Sequence, residues 1–418
     1  MEMTASKQSV YHIAIRYAAL ASRPALIWLL VMLDMSTEAA GLGSLILVAS
    51  IIGMAMSNES HLQLYATIFG QGASSNKLLH RLLLGYLHSL TTHMVLITIP
   101  AFVACLWLFP KVNPWLAIGL ALAERVSDEV LRMKLYRKEW DRWTVLLLGK
   151  NLFPASLTFV AITCLPKAVE AWYTMGALAF AVWLLSAESK AVLRALRGAL
   201  RRLPNISYIR SYLLSYSRVL SIRQIAAILS LNLIALDRYV GMNIWSGSDM
   251  AYIVLVGQII SGIFFVIEAK HLSEHRANFI NSSAKLKDFW TWRPYISLIL
   301  ACALASATIF FVGTNLSVLP EMPTNSYIAV GLMLLNYGIF YLSLPLSDYL
   351  YYRGWSKHIA IGHVLTFAVC ATLMLTFNEF QAPYAVLSIM TAALIGRAVI
   401  LVLATKKIDA SLGLITNS

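Results

Sequence analysis

Along the 418-residue chain, short polar clusters separate apolar runs near 11–33, 38–56, 82–109, 114–131, 143–165, 169–189, 211–236, 250–269, 294–318, 326–349, 359–377 and 383–405. A bilayer hydrocarbon core about 30 Å thick is crossed by about 20 apolar residues in a helix. Each run is long enough for one crossing, so the pattern predicts twelve transmembrane helices. Lipid offers no partner for backbone N–H and C=O groups, and a barrel would show short alternating segments instead of continuous apolar runs. The predicted fold class is an all-α membrane protein.

Composition agrees with this pattern and narrows it. Hydrophobic residues make up 59% of the chain and charged residues 13%, against about 45–50% and 25% in soluble proteins. That excludes a soluble enzyme, and twelve crossings leave no stretch for a sizeable extramembrane domain. The net charge of +13 would suggest nucleic acid in a soluble protein. Here topology accounts for it: of the cations outside span interiors, 24 fall in one set of connections and span ends, and only Lys111, Lys167 and Arg238 fall in the other. The cation-rich side is cytoplasmic, which puts both termini inside and supports an even number of spans. Tyr11–Leu33 is too long for a signal-peptide core and lacks a clean cleavage site, so it is read as a retained first helix.

The longest basic stretch, Ala187 to Arg210, lies at mid-chain between the sixth and seventh spans. The expected organisation is an N-terminal six-helix lobe (1–190), a basic cytoplasmic linker (191–210) and a C-terminal six-helix lobe (211–418). A weak echo agrees: Glu38 in MSTEAAGLGSLILVASII and Asp249 in WSGSDMAYIVLVGQII lie about half a chain apart, each leading into an apolar run. Transporters use such repeats.

Two segments carry a family resemblance. LDMSTEAAGLGSLILVAS (Leu33 to Ser50) resembles the opening of the second helix in the polysaccharide-transport flippases (O-antigen and other lipid-linked oligosaccharides) of the multidrug/oligosaccharidyl-lipid/polysaccharide exporter superfamily. LIALDRYVGMNIWSGSDMAYIVL (Leu233 to Leu255) is similar to that family's Asp-Arg-hydrophobic-hydrophobic-Gly signature, with Asp237, Arg238 and Gly241 at the matching positions. The resemblance implies two six-helix bundles in a V around a hydrophilic cavity, in the bacterial inner membrane. It also implies that a polyprenyl-diphosphate-linked oligosaccharide, such as an O-antigen, capsule or exopolysaccharide repeat unit, moves from the cytoplasmic to the periplasmic leaflet by alternating access. A polysaccharide polymerase of the same pathway is an expected partner, and the chain is expected to act as a monomer among membrane lipids.

Charges inside spans mark candidate sites, because each costs about 2.5–3.5 kcal/mol or more at a helix centre unless it meets water, a partner or a substrate. Arg23 sits midway along the first span beside Pro24, two turns from Arg16 on the same face, with Ala19 and Leu20 between. It either lines a cavity or pairs with an acid on another helix. Lys150, beside Asn151 and near Pro154, either lines the cavity or snorkels to the interface. Arg397 has no acid within one helical turn. Arg125 with Glu129 and Asp128 with Arg132 stand at i,i+4 and can neutralise one another. Arg218 and Arg223 open the seventh span and either snorkel or line its mouth. The expected cationic cavity is Arg23, Arg125, Lys150, Arg218 and Arg397, because an arginine fork suits diphosphate oxygens. Asp237 and Arg238 are the expected gate or inter-lobe residues; adjacent residues point about 100° apart on a helix, so they are not expected to pair directly, and one of them is expected to meet another helix. Tyr17, Trp143, Tyr337 and Tyr341 are candidates for stacking on sugar rings.

No GxxxxGK[ST], HExxH or GxSxG pattern occurs, and the nine histidines are scattered. His88, His93 and His363 lie inside spans, and packing or lumen hydrogen bonding is expected of them. Cys105, Cys164, Cys302 and Cys370 form no CxxC pair and read as packing residues. No enzymatic activity, metal or cofactor is expected. The alternatives to a flippase are a multidrug or metabolite antiporter and a membrane-embedded polysaccharide polymerase. An antiporter calls for an unpaired acid deep in the first span, and a polymerase for a long periplasmic loop; neither appears.

Overall fold

The computed structural model describes residues 5–56, 76–136, 139–165, 168–188, 234–274, 292–316, 326–352, 356–376 and 383–415, with six isolated positions between 197 and 210. Among the described residues every regular element is an α-helix, and there are twelve: α1 (Ala5–Met32), α2 (Ser36–Ala55), α3 (Asn76–Leu108), α4 (Pro114–Tyr136), α5 (Trp140–Ile162), α6 (Val169–Glu188), α7 (Leu236–Ile244), α8 (Gly247–Glu274), α9 (Trp292–Asn315), α10 (Ser326–Tyr352), α11 (Ser356–Thr376) and α12 (Pro383–Ile415). Eight of them hold stretches long and apolar enough to cross a membrane, which makes this a multi-pass membrane protein. Most of the predicted seventh span and most of the basic linker lie outside the described residues, as does Arg218.

The chain divides into two compact units, Met1–Leu30 with Gly41–Val219, and Val31–Ala40 with Leu220–Ser418. In the first, α6 packs on α5 and α4, and α4 also packs on α3 and α5. In the second, α12 packs on α10 and α11, and α8 packs on α9 and α10. Outward faces stay apolar: Trp107 is 84% exposed and Leu304 69%. Such side chains suit lipid, where a water-facing patch of this kind would be unstable.

Local sequence signals set the helix starts. Asn113 accepts the backbone N–H of Trp115 at 3.0 Å and Pro114 supplies the first helical φ, so α4 begins where its sequence directs. Ser246 and Asp249 form a reciprocal cap for α8: the Asp249 N–H donates to Ser246 Oγ at 3.1 Å, and Ser246 Oγ donates to Asp249 Oδ2 at 2.7 Å. Glu38 and Asp249, the two echoing acids, both lie in the first turn of their helices, where a negative charge favours the dipole. Between α1 and α2 the chain turns through Asp34 at φ 58°, a left-handed conformation that aspartate tolerates better than most residues.

Close approach of α5 and α6 positions the residues that follow. A Cβ on Gly176 would lie 2.8 Å from Pro154 Cα, and one on Gly149 would lie 2.8 Å from Phe180 Cε2. Gly176 lets α6 approach the α5 backbone at Pro154 and Gly149 leaves room for the Phe180 ring, and Lys150 of α5 comes close to Tyr173 and Phe180 of α6.

Candidate functional site

In the first unit, Arg23, Glu124, Ser127, Lys150 and Tyr173 meet at a small pocket whose remaining lining is Ala123, Pro154, Ala177 and Phe180. The pocket volume is about 10 Å³, near the minimum for a single water. Two ion pairs converge there, both between helices. Arg23 of α1 pairs with Glu124 of α4, and Lys150 of α5 pairs with Asp128 of α4. Glu124 and Asp128 stand one turn apart and so share a face of α4. Their pairs are partly open: side-chain exposure is 22% and 16% for Arg23 and Glu124, and 12% and 40% for Lys150 and Asp128. Among the described residues Arg23 Nε, enclosed, has no hydrogen-bond partner, so its guanidinium keeps a donor that Glu124 does not use.

This geometry corrects one expected ion pair and bears out another. Asp128 does not close on Arg132. Lys150 reaches it from the neighbouring helix, and Arg132 turns to Glu129 at 3.4 Å. Glu129 also takes Arg125 at 3.3 Å, in a pair whose side chains are 5% and 2% exposed, so the expected Arg125–Glu129 pair does form, away from the pocket lining. The Lys150 ammonium is held at Asp128. Ala19, between Arg16 and Arg23 on α1, is fully buried, and the Arg16 side chain lies outside the description.

In the second unit, Arg397 of α12 is 1% exposed. Among the described residues its partners are neutral: Nε donates to His363 Nδ1 at 3.1 Å, and the two terminal nitrogens donate to Ser343 Oγ at 2.6 Å and Ser347 Oγ at 2.9 Å. The Phe340 ring lies 5.5 Å from the guanidinium carbon, within cation–π range. Asn336, Ser343 and Ser347 fall on one stripe of α10. Thr391 of α12 donates to Asn336 at 2.6 Å, so the α10–α12 contact carries a continuous polar seam.

Asp237 and Arg238 open α7, and the structure corrects the expectation that neighbours on a helix cannot pair. Arg238 Nε lies 3.5 Å from Asp237 Oδ1. Arginine is long enough to fold back where the first turn leaves room. Arg238 also donates to the Ile234 carbonyl at 2.9 Å and to Tyr337 Oη at 3.2 Å, and the Tyr337 hydroxyl donates to the Gly257 carbonyl at 3.1 Å. A Cβ at Gly257 would lie 2.5 Å from an Arg238 nitrogen, so a larger residue there would push the guanidinium aside.

Tyr337 and Tyr341 are core residues. They are 2% and 6% exposed, and each ring centroid lies 5.6 Å from that of Phe264. His93 Nε2 donates to the Ala55 carbonyl, 2.9 Å away. Cys105 and Cys302 are buried, whereas Cys164 is exposed and so does not pack as expected. Sequence reasoning passed over Glu124, Asp128, Tyr173, Ser343, Ser347 and His363 as partners of the span cations. The regular spacing of Ser343 and Ser347 on α10 was the one available signal.

A solved structure of a lipid II flippase, MurJ, in an inward closed conformation, is similar over 95% of this chain and 87% of that chain, with a TM-score of 0.55 and 12% sequence identity. The class the fold defines is therefore a multi-helix membrane protein. The particular likeness is to the MurJ fold, at an identity that speaks for architecture alone. No protein-family model matches the chain, and no curated protein matches it.

Proposed function

We propose that the protein is a flippase of the multidrug/oligosaccharidyl-lipid/polysaccharide exporter superfamily. It moves a polyprenyl-diphosphate-linked oligosaccharide, an O-antigen, capsule or exopolysaccharide repeat unit, from the cytoplasmic to the periplasmic leaflet of the bacterial inner membrane by alternating access, with both termini cytoplasmic. The observation that carries this reading is the fold likeness to a lipid II flippase over nearly the whole chain. The partly open cations Arg23 and Lys150 support it, since an anionic headgroup needs positive donors in a low-dielectric setting. Arg23 and Lys150 are the cations best placed to touch substrate; Arg125 and Arg397 are each enclosed among protein partners. An inside-negative potential favours outward movement of an anion by about 2.3 kcal/mol per charge per 100 mV, so the chain carries out transport without a covalent step.

The test is reconstitution in vesicles loaded with a fluorescent polyprenyl-diphosphate oligosaccharide, with a membrane-impermeant glycosidase or lectin reporting its arrival in the outer leaflet. Wild-type protein accelerates exposure, and Arg23→Ala and Lys150→Ala reduce it at least about tenfold while still inserting. If the glycan does not move and a cationic dye is exchanged against protons or sodium, the antiporter reading replaces this one.

A further inference from the structure

We infer that Glu124 and Asp128 are built-in substitutes for substrate phosphate. In the unloaded protein they occupy Arg23 and Lys150, and a diphosphate headgroup binds by displacing them. The inference rests on the flippase reading and names two acids on which that reading is silent.

Three observations support it. The acids come from one face of a single helix, α4, while their cations come from two others, α1 and α5, so one movement at α4 frees both cations. The pocket lined by Arg23, Glu124 and Lys150 has room for about one water, so a phosphate group takes up both cations as the carboxylates move aside. The pairs are also open to exchange. Each keeps a partly exposed member, unlike the neighbouring Arg125–Glu129 pair, whose side chains are 5% and 2% exposed. A carboxylate and a phosphate oxygen ask the same of a guanidinium or ammonium, namely two or three short charge-assisted bonds. Arg23 Nε, enclosed and without a partner among the described residues, supplies a further donor that Glu124 leaves unused and a larger oxyanion can take.

An internal competitor also answers a transport problem. A cationic cavity with no counter-charge would hold a diphosphate too tightly to release it. With the carboxylates returning to their cations, release is assisted in whichever leaflet the cavity faces, and the empty protein does not strand two cations in the membrane. Apparent affinity is then lowered by the fraction of time the cations are occupied by Glu124 and Asp128.

The test uses the full chain in nanodiscs, with geranylgeranyl diphosphate as probe and geranylgeraniol as neutral control. Glu124→Gln and Asp128→Asn remove the competing charge and keep the side-chain shape. Each variant should bind the diphosphate at least about fivefold tighter than wild type, leave binding of the alcohol unchanged, and flip the lipid-linked glycan more slowly because release is slower. Glu124→Asp, which keeps the charge, should stay near wild-type affinity, and this guards against a loss that reflects misfolding alone. Wild-type binding with unchanged or weaker binding in both neutral variants overturns this inference and leaves the flippase reading intact. No diphosphate binding by wild type or by any variant overturns both.

Discussion

Arg23 and Arg397 both lie in apolar helices without an acid one turn away, yet the two units house them in opposite ways. Arg23 sits at a half-open pocket and takes a carboxylate from another helix. Arg397 is enclosed, and its partners among the described residues are two hydroxyls and an imidazole. A cation that exchanges partners needs an opposite charge to rest on and a route for a ligand to reach it. A cation that fixes helices together needs geometry, and three neutral acceptors around one fork provide it. The difference teaches that depth in a span is no guide to contact with substrate; openness and the type of partner separate the two roles.

The largest expected effect breaks this comparison most directly. Arg397→Ala leaves a cavity and strands Ser343, Ser347 and His363 between α10, α11 and α12, which should cost about 3–5 kcal/mol of stability. Arg23→Ala removes one side of a partly solvated pair and should cost about 1 kcal/mol. Thermal unfolding in detergent reads both, and glycan exposure in vesicles should fall for Arg23→Ala even though the protein remains folded. Equal destabilisation by the two substitutions would erase the distinction between an exchanging cation and a fixing one.

The reach of the sequence follows the same division. Spans were legible because a membrane demands about 20 apolar residues in a row, and eight described helices meet that demand. Arg23, Lys150 and Arg397 were legible as charges in the wrong solvent. Their partners were not, for different reasons. Glu124 lies 101 positions from Arg23, and no local rule connects them. Asp128 had a ready partner in Arg132 by helical spacing, and a neighbouring helix offered Lys150 instead. Ser343, Ser347 and His363 bind a cation without carrying opposite charge, so a search for counter-ions passes over them. The Asp237–Arg238 contact was ruled out by treating side chains as short vectors on a cylinder, which arginine is not.

Arg238 lies between the two extremes, since it has one carboxylate and several neutral partners, and it sharpens the comparison. Asp237→Asn turns its site into a likeness of the Arg397 site: a buried guanidinium among neutral acceptors. The pair is long, at 3.5 Å, and Asp237 is 1% exposed. Losing the counter-charge should therefore cost about 2–3 kcal/mol, below the usual price of breaking a well-formed buried pair, about 3–5 kcal/mol. If the substitution leaves the unfolding temperature unchanged, neutral partners suffice for Arg238 as they do for Arg397. Slower flipping at unchanged stability would instead point to the gate expected from the sequence.

The smallest effect concerns Tyr337, the hydroxyl that links Arg238 to the Gly257 carbonyl. Tyr337→Phe keeps the ring against Phe264 and Tyr341 and removes one acceptor and one donor from the relay. Arg238 retains Asp237 and the Ile234 carbonyl, so the loss should be about 1 kcal/mol, the net worth of an ordinary hydrogen bond. In the Asp237→Asn background the same substitution should cost more, because Tyr337 is then one of only two groups holding the guanidinium, and a coupling of about 0.5 kcal/mol or more would register that dependence. Unfolding of the two single variants and the double variant measures the coupling. Strict additivity would mean that the carboxylate and the hydroxyl hold Arg238 independently, and that its placement between the Arg23 and Arg397 types is a matter of counting partners with no cooperation among them.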